Sequence, residues 1–198
     1  MFLETQLDAR LSSPRTQIRF MRELLNTFSW VELIAKEVHS REDLEKFLDA
    51  ARRDPAVQAI HLVAHGDREA NECALVLTSD EVVDLRDRGN RRLFADLNVE
   101  TLFFSCCSLG LDRDVMGRIV RTSGADAVFS YTRAVTDYQA FVTESLFYHL
   151  SYGYVRGRRS QLAFVEVFEK LLFALDYLGI DSGAHPLADP LLAAAFRE

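Results

Sequence analysis

The sequence predicts an α/β fold in which a mainly parallel, twisted sheet is covered by helices on both faces. Short apolar segments with strand-like patterns alternate with segments of helical periodicity along most of the chain. Strands that are joined through helices pair in parallel, and a parallel sheet needs both faces covered. The 198 residues fit one domain, 1–198, in which 158–198 form a C-terminal helical portion.

The first half of the chain is predicted to contain two helices between strands. A weak strand at 1–7 precedes a helix that begins at Ser13 and Pro14, an N-cap followed by the residue favoured at the first helical position. Ser40 and Asp43 approximate a capping box and begin the second helix. The other strand segments are 30–38, 59–66 and 73–85, the last a hairpin that turns at Ser79 and Asp80.

The second half continues the alternation. A short helix near 90–97 leads into a strand at 100–107. A helix over 112–123 stops at Gly124, because glycine is favoured just past a helix C-terminus. The remaining segments are a strand at 126–132, long helices at 136–152 and 158–178, and a short terminal helix after Pro186.

Composition narrows the class of protein. The net charge of −7 argues against a nucleic-acid binder, which would show a basic face. No apolar run approaches the ~20 residues of a membrane span. Acidic residues stand where a signal peptide would be cationic, and three cysteines, two of them adjacent, do not make a disulfide framework. These features predict a cytoplasmic protein.

Two strand ends carry side chains suited to chemistry. His65 and Gly66 close one strand, and Cys106 and Cys107 close another. Ligands of parallel sheets gather at the carboxyl ends of strands. If the two strands are neighbours, His65 is placed to deprotonate Cys107, whose thiol would otherwise have a pKa of ~8.5. Backbone N–H groups at Gly66 and Cys107 could then form an oxyanion hole, and the glycine lets a substrate carbonyl approach closely.

The same residues allow other interpretations. Cys107 could be an inert core thiol, since free cysteine is often buried. Strand alternation directs Cys106 to the opposite face from Cys107, into the core, and Cys73 is expected to be structural. His61 and His65 invite a zinc site with the cysteine pair, but four strand residues separate them by ~13 Å, too far for one tetrahedral metal. His61 is therefore expected to have a hydrogen-bonded ring, and no metal is predicted.

Other assignments of the base and of the thiol pair also stay open. A vicinal-dithiol redox sensor would need a strained peptide geometry, and nothing here resembles C-x-x-C. His149 and His185 follow Cys107 in the order that papain-like enzymes use, and His149 is expected to pack among apolar neighbours within a helix.

"IHLVAHGD" and "LFFSCCSLG", with Cys107 placed 42 residues after His65, resemble the caspase-like cysteine peptidases, and most closely the CHAT branch. Segment 124–153, with "AVTDYQA", resembles the next strand and helix of that family and the "VTD" of the related separases. Leu109 stands where the family has a polar residue, and Cys106 where it has a small one. The resemblance covers about residues 59–153.

The resemblance implies a caspase-like three-layer sandwich and a cysteine endopeptidase with a His65–Cys107 dyad. It implies no cofactor, a protein or peptide substrate, and a regulatory protein partner or a homodimer. The competing interpretation is a catalytically inactive scaffold that keeps the sheet and binds a partner, since fold does not settle function.

Asp137 is the predicted substrate-binding residue. Thr136 and Gln139 form a capping box, which by itself explains an acid at the first helical position. The helix should nevertheless begin at the edge that holds the dyad, where a carboxylate can pair with arginine or lysine at P1. Separases cut after arginine, which favours the same role. Asp126 and Asp67 are the fallback acids.

Overall fold

A computed structural model describes residues 1–6, 17–66, 73–155, 158–159, 162–180 and 190–197. Ser13 and Pro14, the predicted start of the first helix, lie outside these ranges. The strands in the described residues are, in chain order, β1 (Phe2–Glu4), β2 (Ala35–Glu37), β3 (Ala59–Val63), β4 (His65–Gly66), β5 (Ala74–Val76), β6 (Val82–Asp84), β7 (Thr101–Ser105), β8 (Ala127–Tyr131), β9 (Tyr154–Val155), β10 (Arg158–Arg159) and β11 (Leu192–Phe196).

From β1 to α5 the helices separate these strands in the order that the sequence predicts. They are α1 (Gln17–Leu25), α2 (Arg41–Arg53), α3 (Arg88–Arg91), α4 (Arg113–Ser123), α5 (Asp137–Tyr152) and α6 (Phe164–Tyr177), with 3₁₀ turns at Arg92–Phe94 and Leu109–Leu111. Within the described ranges, no helix is both long and apolar enough to cross a membrane.

The predicted parallel sheet is confirmed. Six strands lie in the order β11-β8-β7-β3-β1-β2, and every neighbouring pair is parallel except β11 with β8. A second sheet, β4-β5-β6, is antiparallel, and β9 pairs with β10. The β5–β6 connection contains Asp80 at φ 61°, as expected of the hairpin predicted over 73–85.

Helices cover both faces of the central sheet. On one face α2 and α4 bury an apolar cluster against Leu62, Leu102 and Val128. On the other face α1, α5 and α6 bury an aromatic cluster. Four rings form a row across the second face, because they lie opposite one another on four adjacent strands. They belong to Phe2, His61, Phe103 and Phe129.

Several helix ends lie where the sequence places them. Gly124 ends α4 with φ 72°, the left-handed conformation that favours glycine. Thr136 caps α5, and Gly153 follows its last residue. The amide of Gln139 donates to Thr136 Oγ1 over 3.2 Å, and the amide of Thr136 donates to Gln139 Oε1 over 3.0 Å. The predicted capping box is therefore confirmed.

The C-terminal portion differs from its prediction. Residues 158–159 form β10, and the long helix begins only at Phe164. The predicted terminal helix after Pro186 is wrong for the part that is described, because Leu192–Phe196 form an edge strand antiparallel to β8. Its leucine and three alanines favour a helix in isolation, but pairing with β8 and burial of Leu192 decide the outcome. The strand predicted at 30–38 is similarly reduced to Ala35–Glu37.

Candidate functional site

The two strands that carry the predicted dyad are neighbours in the central sheet. β3 pairs in parallel with β7, and Val63 lies opposite Ser105. The amide of Ala64 then donates to the carbonyl of Ser105 over 3.2 Å. Both strands therefore end at the same edge of the sheet, which was the condition for bringing a histidine and a cysteine together.

His65 does not belong to the strand that precedes it. The apolar run at 59–66 was predicted as one strand, but β3 ends at Val63, and His65–Gly66 form β4 of the small antiparallel sheet. His65 pairs with Val76 of β5. The half-buried histidine is thus held beside the edge of the central sheet by a separate hairpin.

Gly66 packs directly on the backbone of Cys107. A Cβ atom at position 66 would stand 2.3 Å from the Cys107 carbonyl oxygen and 3.3 Å from its nitrogen. No other residue type fits this approach. The space on the Cβ side of Gly66 is therefore filled by the carbonyl of Cys107 itself. The contact does bring β4 against the cysteine segment.

The two adjacent thiols have different environments. β7 ends at Ser105, so Cys107 lies two residues past the strand and not at its last position as predicted. Cys106 is 2% exposed and belongs to the α2/α4 core, whereas Cys107 is partly exposed. Burial raises the pKa of the Cys106 thiol far above its usual value. The predicted division, with Cys106 inward, is confirmed.

Cys73 is the third thiol and is also buried. Burial raises its pKa to about 11, with the nearby carboxylate of Asp112 adding to the shift. Cys107 is therefore the cysteine that solvent can reach.

The path of the turn after Cys107 is fixed by backbone conformation and by close packing. Ser108 has φ 64°, a left-handed backbone. A Cβ on Gly110 would lie 2.8 Å from the carbonyl oxygen of Ser130 and 2.9 Å from that of Tyr131, so this glycine presses against β8. Leu109, which stands where the resembling family has a polar residue, is fully buried. Leu109 therefore packs in the core beneath the turn, where a polar side chain would not fit.

Asp137 is the first residue of α5, as its place in the predicted capping box requires. β8 is the neighbour of β7, and the helix that follows it begins with an exposed Asp137. Asp126 cannot substitute for it, because it precedes β8 at the opposite edge and pairs with Arg197. Asp67, the other fallback acid, lies outside the described residues.

One alternative base, His149, is placed away from the predicted site. His149 is exposed, not packed as expected, and lies about 18 Å along α5 from Asp137 at 1.5 Å per residue. His185 lies outside the described residues. Among the described side chains, no cluster of three or more His, Cys, Asp or Glu residues could hold a metal ion.

A buried polar cluster beneath the site was missed by sequence reasoning. Ser105 Oγ donates to Glu144 Oε1 over 2.6 Å, and Tyr131 OH donates to the same oxygen over 3.0 Å. His61 Nδ1 lies 2.9 Å from Tyr148 OH, and its ring is stacked between Phe2 and Phe103. The expected hydrogen-bonded ring of His61 is confirmed.

Burial sets the charge of this cluster. It raises the pKa of Glu144 to about 7 and lowers the pKa of His61 to about 3. The clue in the sequence was helical spacing, since Glu144 shares a face of α5 with Ala140, Phe147 and Tyr148, which are all buried.

A cavity of about 570 Å³ lies at the opposite edge of the sheet. It is lined by Phe2 and Ala59, at the amino ends of β1 and β3, together with Trp30, Tyr148 and Tyr152. It is therefore separate from the edge that holds Cys107.

No protein-family model matches the chain, and no curated protein matches it. The function must therefore be inferred from the residues at the carboxyl edge of the sheet.

Proposed function

We propose that the protein is a cysteine endopeptidase in which His65 and Cys107 form the dyad. The observation that carries the proposal is the packing of Gly66 on the backbone of Cys107, at 2.3 Å from the carbonyl oxygen to a Cβ position. This contact keeps the residue after the histidine against the residue that bears the partly exposed thiol. The adjacent Cys106 is buried and serves the core.

The reaction follows the chemistry of a thiol activated by a base. His65 takes the proton of the Cys107 thiol, and the thiolate attacks the scissile carbonyl carbon. The N–H groups of Gly66 and Cys107 stabilise the oxyanion. His65 then donates its proton to the leaving amine as the C–N bond breaks, and a water molecule hydrolyses the thioester. These steps use no metal ion or cofactor.

The substrate is a protein or peptide with a basic residue at P1. Asp137 supports this preference because it is exposed on the first turn of α5, and α5 follows the strand next to β7. A carboxylate at that position pairs best with the planar guanidinium of arginine.

An irreversible probe tests the proposal. An acyloxymethyl ketone with arginine at P1 should label the wild type at Cys107 much faster than iodoacetamide does, and should not label Cys107→Ser. A matched probe with aspartate at P1 serves as the specificity control. Labelling of Cys107 by the peptide probe no faster than by the simple alkylating agent would reject the peptidase.

A second candidate function is a non-catalytic module that binds a partner protein or a second copy. The observation that favours it is an apolar surface on and just after α6, where Phe173, Tyr177 and Leu178 are 73%, 81% and 53% exposed. Contiguous exposed apolar patches mark interaction sites, and the rings of Phe173 and Tyr177 stack on each other here. The same probe experiment separates this function from the first, because a scaffold shows no acceleration over a generic thiol.

A further inference from the structure

We propose that Glu144 is a positioning residue that fixes the end of β7 and thereby the backbone from which Cys107 emerges. The inference deepens the proposed function, because the position of this thiol matters only if Cys107 reacts. Glu144 lies on α5, yet its carboxyl contacts side chains at the ends of β7 and β8.

Side chains from two strands donate hydrogen bonds to one carboxyl oxygen of Glu144. Ser105 is the last residue of β7 and lies two residues before Cys107, and its Oγ is 2.6 Å from Glu144 Oε1. Tyr131 is the last residue of β8, and its OH is 3.0 Å from the same oxygen. Glu144 is 1% exposed, so water does not compete for these bonds. A single buried acceptor therefore ties the ends of two adjacent strands to α5.

The turn that follows β7 rests on the same strand ends. Gly110 packs against the carbonyl oxygens of Ser130 and Tyr131. Displacement of Ser105 or Tyr131 would therefore move the segment that carries the thiol. Buried hydrogen bonds to a carboxyl are strong, and an unpaired donor is costly to leave there.

The second carboxyl oxygen faces a polar atom without an aligned partner. Glu144 Oε2 is 3.4 Å from His61 Nε2, and among the described residues that nitrogen makes no hydrogen bond. A proton on Oε2 would give Nε2 its donor and leave Nδ1–H to donate to Tyr148 OH, 2.9 Å away. The pair is then neutral, which suits a site without water.

Ionisation of Glu144 should therefore affect the position of Cys107 through these buried hydrogen bonds. Burial raises the pKa of Glu144 to about 7, so the carboxyl ionises in the neutral range. The titratable and polar groups that face it come from β1, β3, β7, β8 and its own helix, and they are Glu4, His61, Ser105, Tyr131 and Tyr148.

Hydrogen exchange measures the positioning directly. Glu144→Gln keeps an acceptor oxygen and offers N–H to His61, whereas Glu144→Leu removes both acceptors. Phe147→Leu is the matched control, since it weakens the packing of the same buried face of α5 and leaves the carboxyl. The readout is the amide of Ala64, which donates to the Ser105 carbonyl.

We expect Glu144→Leu to exchange at Ala64 at least tenfold faster than Phe147→Leu, and Glu144→Gln to stay close to the wild type. Equal rates in the two leucine variants would overturn the proposal. If Glu144→Leu does not fold, the double variant Ser105→Ala, Tyr131→Phe removes the two donors instead, and an unchanged Ala64 rate in it would also overturn the proposal.

Alkylation of Cys107 supplies a readout that packing alone would not move. Iodoacetamide labelling is followed by mass spectrometry at pH 6 and pH 8. Glu144→Gln should match the wild type at pH 6 and differ from it about threefold in labelling rate at pH 8, where the wild-type carboxyl has lost the proton that bonds His61 Nε2 and the glutamine amide has kept its own. A ratio that is the same at both pH values would overturn the proposal. Alkylation needs no peptidase activity, so failure of the wild type to hydrolyse peptides would reject the proposed function and leave this result standing.

Discussion

Gly66 and Cys107, 41 positions apart in the sequence, approach so closely that any side chain at 66 would overlap the Cys107 carbonyl, with a Cβ only 2.3 Å from the oxygen. The contact joins the small β4-β5-β6 sheet to the edge of the central sheet. The predicted dyad thus depends on a backbone contact between two sheets as well as on two side chains.

Gly66→Ala should therefore displace the Cys107 backbone. We expect a loss of about 1–3 kcal/mol in the free energy of unfolding, typical of overpacking, and a large drop in labelling of Cys107 by the peptide probe. Urea unfolding and probe kinetics measure the two effects. Gly117→Ala in α4 is the matched control, because its Cβ would meet only the end of the Arg121 side chain at 3.5 Å. That variant should gain about 0.5–1 kcal/mol.

The cysteine pair gives a prediction about register. Cys107→Ala should abolish peptide cleavage and leave the unfolding midpoint almost unchanged, because the side chain is partly exposed. Cys106→Ala should keep activity and lose about 1 kcal/mol or more of stability, because it creates a cavity in the core. An active Cys107→Ala enzyme combined with an inactive Cys106→Ala enzyme would show that the other thiol is the nucleophile.

His65→Ala should reduce turnover by about 10²–10⁴-fold, the usual contribution of a positioned general base. His149→Ala is the control, because His149 is exposed on the half of α5 remote from Cys107. His61→Ala should mainly lower stability, by about 2–5 kcal/mol, because it removes a fully buried ring from the aromatic row. Steady-state kinetics at a temperature where all variants are folded tests these expectations, and an inactive His149→Ala enzyme would contradict the dyad.

Asp137→Asn should remove the preference for a basic P1 residue. Peptides with Arg, Lys, Asp or Leu at P1 are compared on wild type and variant, and the kcat/KM for P1-Arg is expected to fall relative to that for P1-Leu. The helix cap should survive, since Thr136 and Gln139 form it. Asp126→Asn is the control acid, because it pairs with Arg197 at the other edge. An undiminished arginine preference in Asp137→Asn would leave Asp137 with only a role at the helix terminus.

Glu144→Gln should change how stability depends on pH. The folded pKa of Glu144 is raised from 4.5 to about 7, so as the pH rises through this window the unfolded chain ionises before the folded protein does. The wild type should lose up to about 3 kcal/mol relative to the glutamine variant between pH 4.5 and pH 8, at 1.4 kcal/mol per pKa unit. Urea unfolding at pH 4.5, 6 and 8 measures this difference, and a constant difference would contradict the raised pKa.

His61 makes the stability of the protein depend on pH in the opposite direction to Glu144. Its pKa is lowered from 6.5 to about 3, so its contribution to stability is present above pH 6.5 and is lost as the pH falls towards 3. Above pH 6.5 His61 is neutral in the folded and in the unfolded chain, so the comparison of the glutamine variant with the wild type there reports on Glu144.

The sequence was sufficient for the parts of the fold that depend on local patterns. Apolar periodicity predicted the parallel sheet, Gly124 and Thr136 predicted helix ends, and the adjacency of Cys106 and Cys107 predicted that the two thiols differ in burial. These features are set by neighbouring residues, so a single chain segment carries the information.

Other features depend on contacts between distant segments, and these could not be predicted. β11 contains helix-favouring residues and becomes a strand only because β8 has a free edge. His65 does not continue β3 but pairs with Val76 of β5, and no local sequence pattern predicts this pairing. Glu144 reads as an ordinary helix residue until Ser105 and Tyr131, 39 and 13 positions away, converge on it.

The sheet order has a consequence for synthesis on the ribosome. β1 comes from residues 2–4 and β11 from residues 192–196, so the central sheet is assembled from segments at both extremes of the described chain. Until residue 196 has left the exit tunnel, β8 keeps an unpaired edge, the kind of edge that templates aggregation. Pairings this distant in sequence also slow folding. The nascent chain should therefore rely on chaperones until β11 docks, and a stall near residue 190 should produce insoluble protein.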